Sequence, residues 1–223
     1  MDPRELTPPY WCTLVHLIRP FPNFDLFFAK ALRQTAVHAL ELKTGSRVLD
    51  VGCGPGGSFP YLVEAVGPPG EVVGVEISPE VSINARKRIE ANHWCNVQVV
   101  EGDATTVQLN GTFDAMLLMG APDAYASPRA VENLFRYLRD DARIVAFGAK
   151  LSHRRLGTML NRLSRSLMKL SFSSTPELSY HPWDVLEKRL AEVQIREYFF
   201  GCLFLAWGSV RSPSAGDKSP HRS

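Results

Sequence analysis

The chain has 223 residues, 45% of them hydrophobic, which suits one α/β domain of ordinary size with a real core. Its 25 Lys and Arg nearly balance 23 Asp and Glu, and a formal charge of +2 excludes a molecule built as a nucleic-acid magnet or a membrane-coating polycation. Cys12, Cys53, Cys95 and Cys202 form no CxxC pair and stand by no histidine at ligand spacing, so neither a metal site nor a disulfide framework is suggested and a reduced, cytoplasmic protein is expected.

The opening MDPRELTPPYWCTLVHLIRPFPNF is broken by prolines, an arginine and a histidine, so it lacks the uninterrupted apolar core of a signal peptide or membrane span. In LFFAKALRQTAVHAL, Leu26, Ala29, Leu32, Ala36 and Leu40 recur at helical spacing, which predicts a helix leading into the main domain. RVLDVG reads as a buried strand, glycines follow, and SFPYLVEAVG reads as a helix closed by Gly67. GEVVGVEI is a second strand, and SPEVSINARKRIEAN a helix with Ser78 as N-cap and Pro79 in its first turn.

VQVVEGD and FDAMLLMG are the third and fourth strands, SPRAVENLFRYLR a helix capped in the same way by Ser127 and Pro128, and ARIVAFGAK a fifth strand. Strands and helices alternating at this spacing call for a parallel sheet covered on both faces. WDVLEKRL reads as a helix. VQIREYFFG and CLFLAWGSV, separated by almost nothing, must pair antiparallel. The expected fold class is therefore α/β: a doubly wound seven-stranded sheet, mostly parallel, with an antiparallel C-terminal hairpin. Residues 1–43 form an aromatic-rich N-terminal lid and helices, 44–210 the main domain, and 211–223, polar and rich in Ser and Pro, a disordered tail.

LDVGCGPGGSF places Gly52, Gly54 and Gly57 in the spacing GxGxxG, which alone fits a nicotinamide enzyme. The residue two before the first glycine is Asp50, however, where a dinucleotide site has an apolar residue. A carboxylate there costs several kcal/mol to bury unpaired, so it is expected to face the ligand pocket or to bond the glycine loop, and to favour a ligand with an amino group. Glu76, at the end of the second strand, stands where a carboxylate accepts from both ribose hydroxyls. Asp103, at the end of the third, is placed to accept from an adenine amine while the Ala104 N–H meets a ring nitrogen. Three acids after three successive strands line one crevice.

With these residues the chain resembles the class I S-adenosylmethionine-dependent methyltransferases, whose fold is Rossmann-like. VLDVGCGPGG looks like their first motif, VVGVEIS their acidic second-strand motif, EGDAT their adenine-contact motif and FDAMLLMG their fourth-strand motif. The resemblance implies S-adenosylmethionine as cofactor. It implies that Asp50 contacts the methionine moiety, that Gly52 and Gly54 let the backbone approach it, that Glu76 holds the ribose, that Ile77 packs on adenine, and that Asp103 and Ala104 bind its edge. Tyr10, in the lid, and Met119, ending the fourth strand, are further cofactor contacts.

Methyl transfer from a sulfonium is an in-line displacement, so the protein mainly supplies alignment and excludes water. The fourth strand ends in MGAPDAYAS rather than in the Asn/Asp-Pro-Pro-Tyr/Phe loop of nucleic-acid amine methyltransferases, so DNA is not expected as substrate. Asp123 and Tyr125 are placed to face the acceptor, and Tyr125, His153 and His181 are the catalytic candidates. Trp11, His16 and Phe24 join Tyr10 as lid residues. Within residues 150–170, Leu156, Met159, Leu160, Leu163 and Leu167 share a helical face while Arg154, Arg155, Arg162, Arg165 and Lys169 supply charge. That pattern fits a helix covering the acceptor pocket, or peripheral contact with an anionic membrane. A small-molecule or lipid-like acceptor is expected, nitrogen slightly ahead of oxygen or carbon, in the broad group containing the quinone-biosynthesis and phosphatidylethanolamine methyltransferases. The alternatives are a catalytically inactive cofactor-binding partner subunit and an RNA methyltransferase.

Overall fold

The computed structural model describes residues 27–153, 161 and 179–211. In chain order they form α1 (Phe27–Ala39), β1 (Arg47–Val51), α2 (Phe59–Val66), β2 (Glu71–Glu76), α3 (Pro79–Ala91), β3 (Val97–Glu101), β4 (Phe113–Met119), α4 (Pro122–Tyr125), α5 (Pro128–Phe135), β5 (Leu138–Ala149), α6 (Asp184–Glu187), β6 (Leu190–Tyr198) and β7 (Leu203–Val210). The seven strands make one sheet in the order β3-β2-β1-β4-β5-β7-β6. Strands β1 to β5 are parallel; β7 runs antiparallel between β5 and β6. The expected architecture is thus present.

Alternation along the strands divides the core into two layers. Leu49 and Val51 of β1 join Val73, Met116 and Ile144 under α5, where Val131 and Leu134 are buried. Val48 joins Val72, Leu117 and Val145 under Ala36, Val37 and Leu40 of α1 and Phe59, Leu62 and Val66 of α2. Position 50 shares the parity of Val48, so its side chain belongs to the layer that α1 and α2 cover.

The capping residues act as expected. Ser78 Oγ accepts from the Val81 N–H at 3.4 Å, and Ser127 Oγ from the Ala130 N–H at 3.3 Å. Gly67 follows α2 with φ 64, a conformation costly for any side chain. Three boundaries differ from expectation. α5 ends at Phe135, and β5 begins at Leu138, because Asp141 in the left-handed region and a register shift between Phe113 and Ala115 let the strand bulge and start early. α6 is only four residues long, since the chain turns into β6 at Leu190. β6 and β7 are joined through a 3₁₀ turn at Phe199–Gly201.

At the amino edge of the sheet, charges are paired. Arg47 bridges to Glu71, its N–H donates to Asp114 Oδ2 at 2.7 Å, and Arg139 pairs with the same Asp114. Phe59 opens α2 fully buried, edge-on to Trp94 with ring centroids 6.5 Å apart, and Gly74 leaves room for it: a Cβ there would lie 2.9 Å from Phe59 Cζ. Phe59→Ala is expected to cost about 3–5 kcal/mol in urea unfolding; a loss below about 1 kcal/mol would contradict this packing.

Candidate active site

At the carboxyl edge one charge stands apart from this pattern. Asp50, between Gly74 of β2 and Leu117 of β4, has no exposed surface, and neither of its carboxylate oxygens has a hydrogen-bond partner among the described residues. It does not bond the glycine loop, one of the two arrangements expected for it. Burial pushes its pKa from 3.8 up to about 7; the Arg33 guanidinium of α1 pulls it back, and the Glu76 charge adds to the rise. An ammonium group placed there would supply the charge and hydrogen bonds that both oxygens lack.

The loop after β1 is held open by backbone bonds. The Gly52 and Cys53 N–H groups both donate to the Val75 carbonyl, at 2.8 and 3.1 Å, and the Gly56 carbonyl accepts from Arg88 Nη1 at 3.1 Å. Gly52 has φ +67, and a Cβ there would meet Ala121 Cβ at 2.8 Å; Gly54, at φ +58, faces open space. Glu76 ties this loop to the next helix: its Oε2 accepts from the Gly54 N–H at 3.0 Å and its Oε1 from the Ser78 N–H at 2.9 Å. A carboxylate has about four acceptor positions, so both oxygens keep capacity for diol hydroxyls. Cys53 is no nucleophile, since burial, with the Asp50 and Glu76 charges adding, pushes its thiol far up.

Ile77 is 65% exposed just past β2, an apolar side chain standing in solvent beside Glu76. Asp103 is exposed, and its Oδ1 accepts from the Thr105 N–H at 2.7 Å and the Thr105 hydroxyl at 2.8 Å, which fixes the turn. Asn133 of α5 braces the same turn by donating to the carbonyls of Ala104 at 3.1 Å and Val107 at 2.9 Å. Met119 is half-buried at the end of β4. Asp50, Gly52, Gly54, Glu76, Ile77, Asp103, Ala104 and Met119 therefore all stand at or just beyond the carboxyl ends of β1 to β4. Tyr10, Trp11, His16 and Phe24 lie outside the described residues, as does nearly all of the basic stretch within 150–170.

Among the catalytic candidates Tyr125 requires correction. It is buried to 1% exposure, edge-on to Phe204 at 5.5 Å, and burial pushes its phenol far up. Its hydroxyl lies over the Gly148 backbone, where a Cβ would come within 2.1 Å. The apolar register of α4 (Pro122, Ala124 and Tyr125 buried, Asp123 out) turns the ring into the core rather than toward an acceptor.

His153 and His181 do come together. His153 stacks on Tyr180 at 3.9 Å, His181 lies 6.5 Å from His153 and 5.5 Å from Trp183, and Lys150 Nζ sits 5.5 Å over the Trp183 ring. The segment after β5 is pinned in several places: Lys150 pairs with Glu197, and the Ser152 hydroxyl donates to the Phe200 carbonyl at 2.6 Å. Asn161 holds the Ser152 backbone through two bonds, of 3.0 and 3.1 Å. Lys150 and Arg33 escaped the sequence reading. A signal existed for Arg33, a cation at i−3, i−4 and i−7 from the buried Ala36, Val37 and Leu40 of its own helix.

The buried Asp50 sets a pH dependence of stability. Its folded pKa lies above its unfolded value, so the unfolded chain gives up the proton first. The contribution to stability is intact below about pH 4, is lost as pH rises, and above about pH 7 leaves a cost on the order of 4 kcal/mol. Asp50→Asn is therefore expected to raise the melting temperature at pH 8 by several degrees and to gain little at pH 4; an equal effect at both pH values would contradict the assignment.

Residues 48–141 match the family model described as "Methyltransferase domain". The chain is 35% identical over 118 residues to aklanonic acid methyltransferase DauC of Streptomyces sp. (strain C5), covering 52% of this chain and 53% of that protein. It is 30% identical over 124 residues to the demethylmenaquinone methyltransferase of Bacillus cereus, covering 55% and 49%. The chain thus spans about half the length of these relatives, or less of others. Among solved structures, the N-methyltransferase NodS from Bradyrhizobium japonicum WM9, in complex with S-adenosyl-L-homocysteine, superposes with a TM-score of 0.65 at 14% identity, over 92% of this chain and all of that one. Among the described residues no helix is long and apolar enough to cross a membrane. Motifs, strand order and the matched domain agree: residues 48–141 match a methyltransferase domain, and the sheet that carries it has the fold of S-adenosylmethionine-dependent methyltransferases.

Proposed function

We propose that this protein transfers the methyl group of S-adenosylmethionine to a small-molecule acceptor, an amine or a hydroxyl with the amine slightly favoured. The observation that carries the reading is Asp50: a fully buried carboxylate without a hydrogen-bond partner among the described residues, beside a loop that leaves open space at Gly54. A dinucleotide would bring a pyrophosphate to that loop, and anion against carboxylate is unfavourable; an aminoacyl sulfonium brings an ammonium. The names of the relatives, demethylmenaquinone and aklanonic acid methyltransferases, support a small-molecule acceptor.

In this reading Asp50 receives the methionine ammonium, Glu76 the ribose hydroxyls, Ile77 covers adenine, and Asp103 with the Ala104 N–H takes its edge, while Met119 lines the cofactor's path along β4. The acceptor enters beyond β5, where His153 and His181 stand. The acceptor's lone pair forms the new bond to the methyl carbon as the carbon–sulfur bond breaks, leaving S-adenosylhomocysteine. The acceptor's proton passes to water or, for a hydroxyl, to one of these histidines, a step in which a base contributes about 10²–10⁴-fold.

Titration calorimetry with S-adenosylhomocysteine, followed by transfer of labelled methyl to a panel of amines and phenols, tests this. Glu76→Ala and Asp103→Ala should each weaken binding at least about tenfold, the range expected for bonds to a charged group. Unchanged affinity in both would remove the site. Tight binding with no turnover on any acceptor would favour the inactive partner subunit, and turnover confined to RNA the nucleic-acid reading.

A further inference from the structure

The turn that joins β6 to β7 carries two costs at once. Phe199 and Phe200 both lie in the left-handed region, at φ 47 and 56, where a bulky side chain crowds its own backbone and a glycine would be at ease. Both residues are also exposed, at 49% and 55%. Two bonds hold the conformation: the Ser152 hydroxyl donates to the Phe200 carbonyl at 2.6 Å, and the Cys202 N–H to the Phe199 carbonyl at 3.1 Å. Enforced backbone strain on side chains that do not fill the core points to rings kept for contact with a ligand.

Topology places that contact. β6 and β5 both run antiparallel to β7, so the turn after β6 lies at the carboxyl edge of the sheet, and Ser152 ties it to the segment that carries His153. Tyr180, 41% exposed, stacks on His153 at 3.9 Å. Among the described side chains, the exposed Phe, Tyr and Trp residues are Tyr180, Phe199 and Phe200, and all three stand beside the acceptor side. Their exposed surface is about 300 Å² in all, well short of the ~800 Å² that each partner brings to a stable dimer, but enough for the apolar part of one small molecule. The charges of β6 are Glu192, Arg196 and Glu197, with Glu197 paired to Lys150, so the strand presents no cationic cluster to an anionic bilayer.

We propose that the Phe199–Phe200 turn, with Tyr180, binds the apolar body of an elongated acceptor and so determines acceptor specificity. This rests on the methyl-transfer reading above and adds the class of acceptor. The cofactor of that reading lies over the ends of β1 to β4, and the sheet continues in the order β4-β5-β7-β6. With neighbouring strands about 4.8 Å apart, the turn stands about 10–15 Å from β4. The acceptor is therefore an amphiphile: its amine or hydroxyl meets the methyl group near β4, and an apolar body of about that length passes His153 to reach the rings.

Titration calorimetry of the protein loaded with S-adenosylhomocysteine, using para-alkylphenols and alkylamines from ethyl to octyl, tests this. Once the chain is long enough to reach the turn, affinity should rise about two- to fourfold per added methylene. Phe200→Gly should lose about tenfold for the octyl compounds, stay within about twofold for the ethyl ones and leave S-adenosylhomocysteine affinity unchanged. The same variant should melt a few degrees higher, because glycine relieves the left-handed strain; a ring that served only packing would lower the melting temperature instead. If the wild type fails to bind S-adenosylhomocysteine, the cofactor reading itself falls. If it binds, the proposal is overturned when no probe binds, when affinity does not grow with chain length, or when the growth survives Phe200→Gly. A Phe200→Gly protein that melts lower or does not fold overturns it as well, since the ring is then structural. Sedimentation with and without phosphatidylserine vesicles covers the other occupants: pelleting with vesicles or dimerisation that Phe200→Gly abolishes, without chain-length dependence, assigns the rings to a bilayer or a second copy and overturns the proposal.

Discussion

A carboxylate buried without a partner at the carboxyl end of the central strand is the constraint on which the rest of the site depends. β1 is flanked by β2 and β4 and covered by helices on both faces, so position 50 has no surface open to solvent. The ionised Asp50 therefore costs the empty protein stability, a cost that protonation or an arriving cation removes. The amino edge of the same sheet shows the contrast. There Arg47, Glu71, Asp114 and Arg139 satisfy one another, as charges placed for structure do. Asp50 is the exception to that pattern, and on the proposed function its partner is the ligand.

The other parts follow from that position. The strand order reverses between β1 and β4, and in such sheets the connections leave in opposite directions and open a crevice. The glycine loop fills one wall of it with backbone rather than side chains. Glu76 braces that loop and the next helix with the same two oxygens it would present to ribose, so the ligand meets a carboxylate already oriented. On the other side, Lys150, Ser152 and Asn161 fix the segment that carries His153, and the bond from the Leu151 N–H to the Ser179 carbonyl, at 2.9 Å, brings the chain carrying Tyr180 and His181 beside it. On the proposed function, a preset donor side and a ring-bearing acceptor side would supply the alignment that an in-line methyl transfer requires.

Much of this was legible in the sequence. Short apolar runs of Val, Leu and Ile identified all seven strands, and the Ser-Pro caps identified α3 and α5, because apolar runs and capping are local. Asp50, Glu76 and Asp103 stood out as acids at the ends of apolar strands. Tyr125 misled because it sits in a loop-like stretch after β4; whether its ring faced an acceptor or the core depended on a one-turn helix and on Phe204, some eighty residues away, which no local pattern reveals. The early start of β5 was hidden for a similar reason, since the bulge at Asp141 depends on pairing with β4. Arg33 was missed because the motif reading began after it. Its contact with Gly57 joins two elements through space, although a cation on an otherwise apolar helix face is a signal of the kind that repays attention.

The central claim is that a cation from the ligand displaces a proton from Asp50. Calorimetric titration of S-adenosylhomocysteine at pH 7, in buffers of differing ionisation enthalpy, counts protons released on binding. With Asp50 near half ionised in the empty site, about half a proton should leave per ligand at pH 7, approaching one near pH 6 and none near pH 9. Binding without proton release across that range would contradict the account.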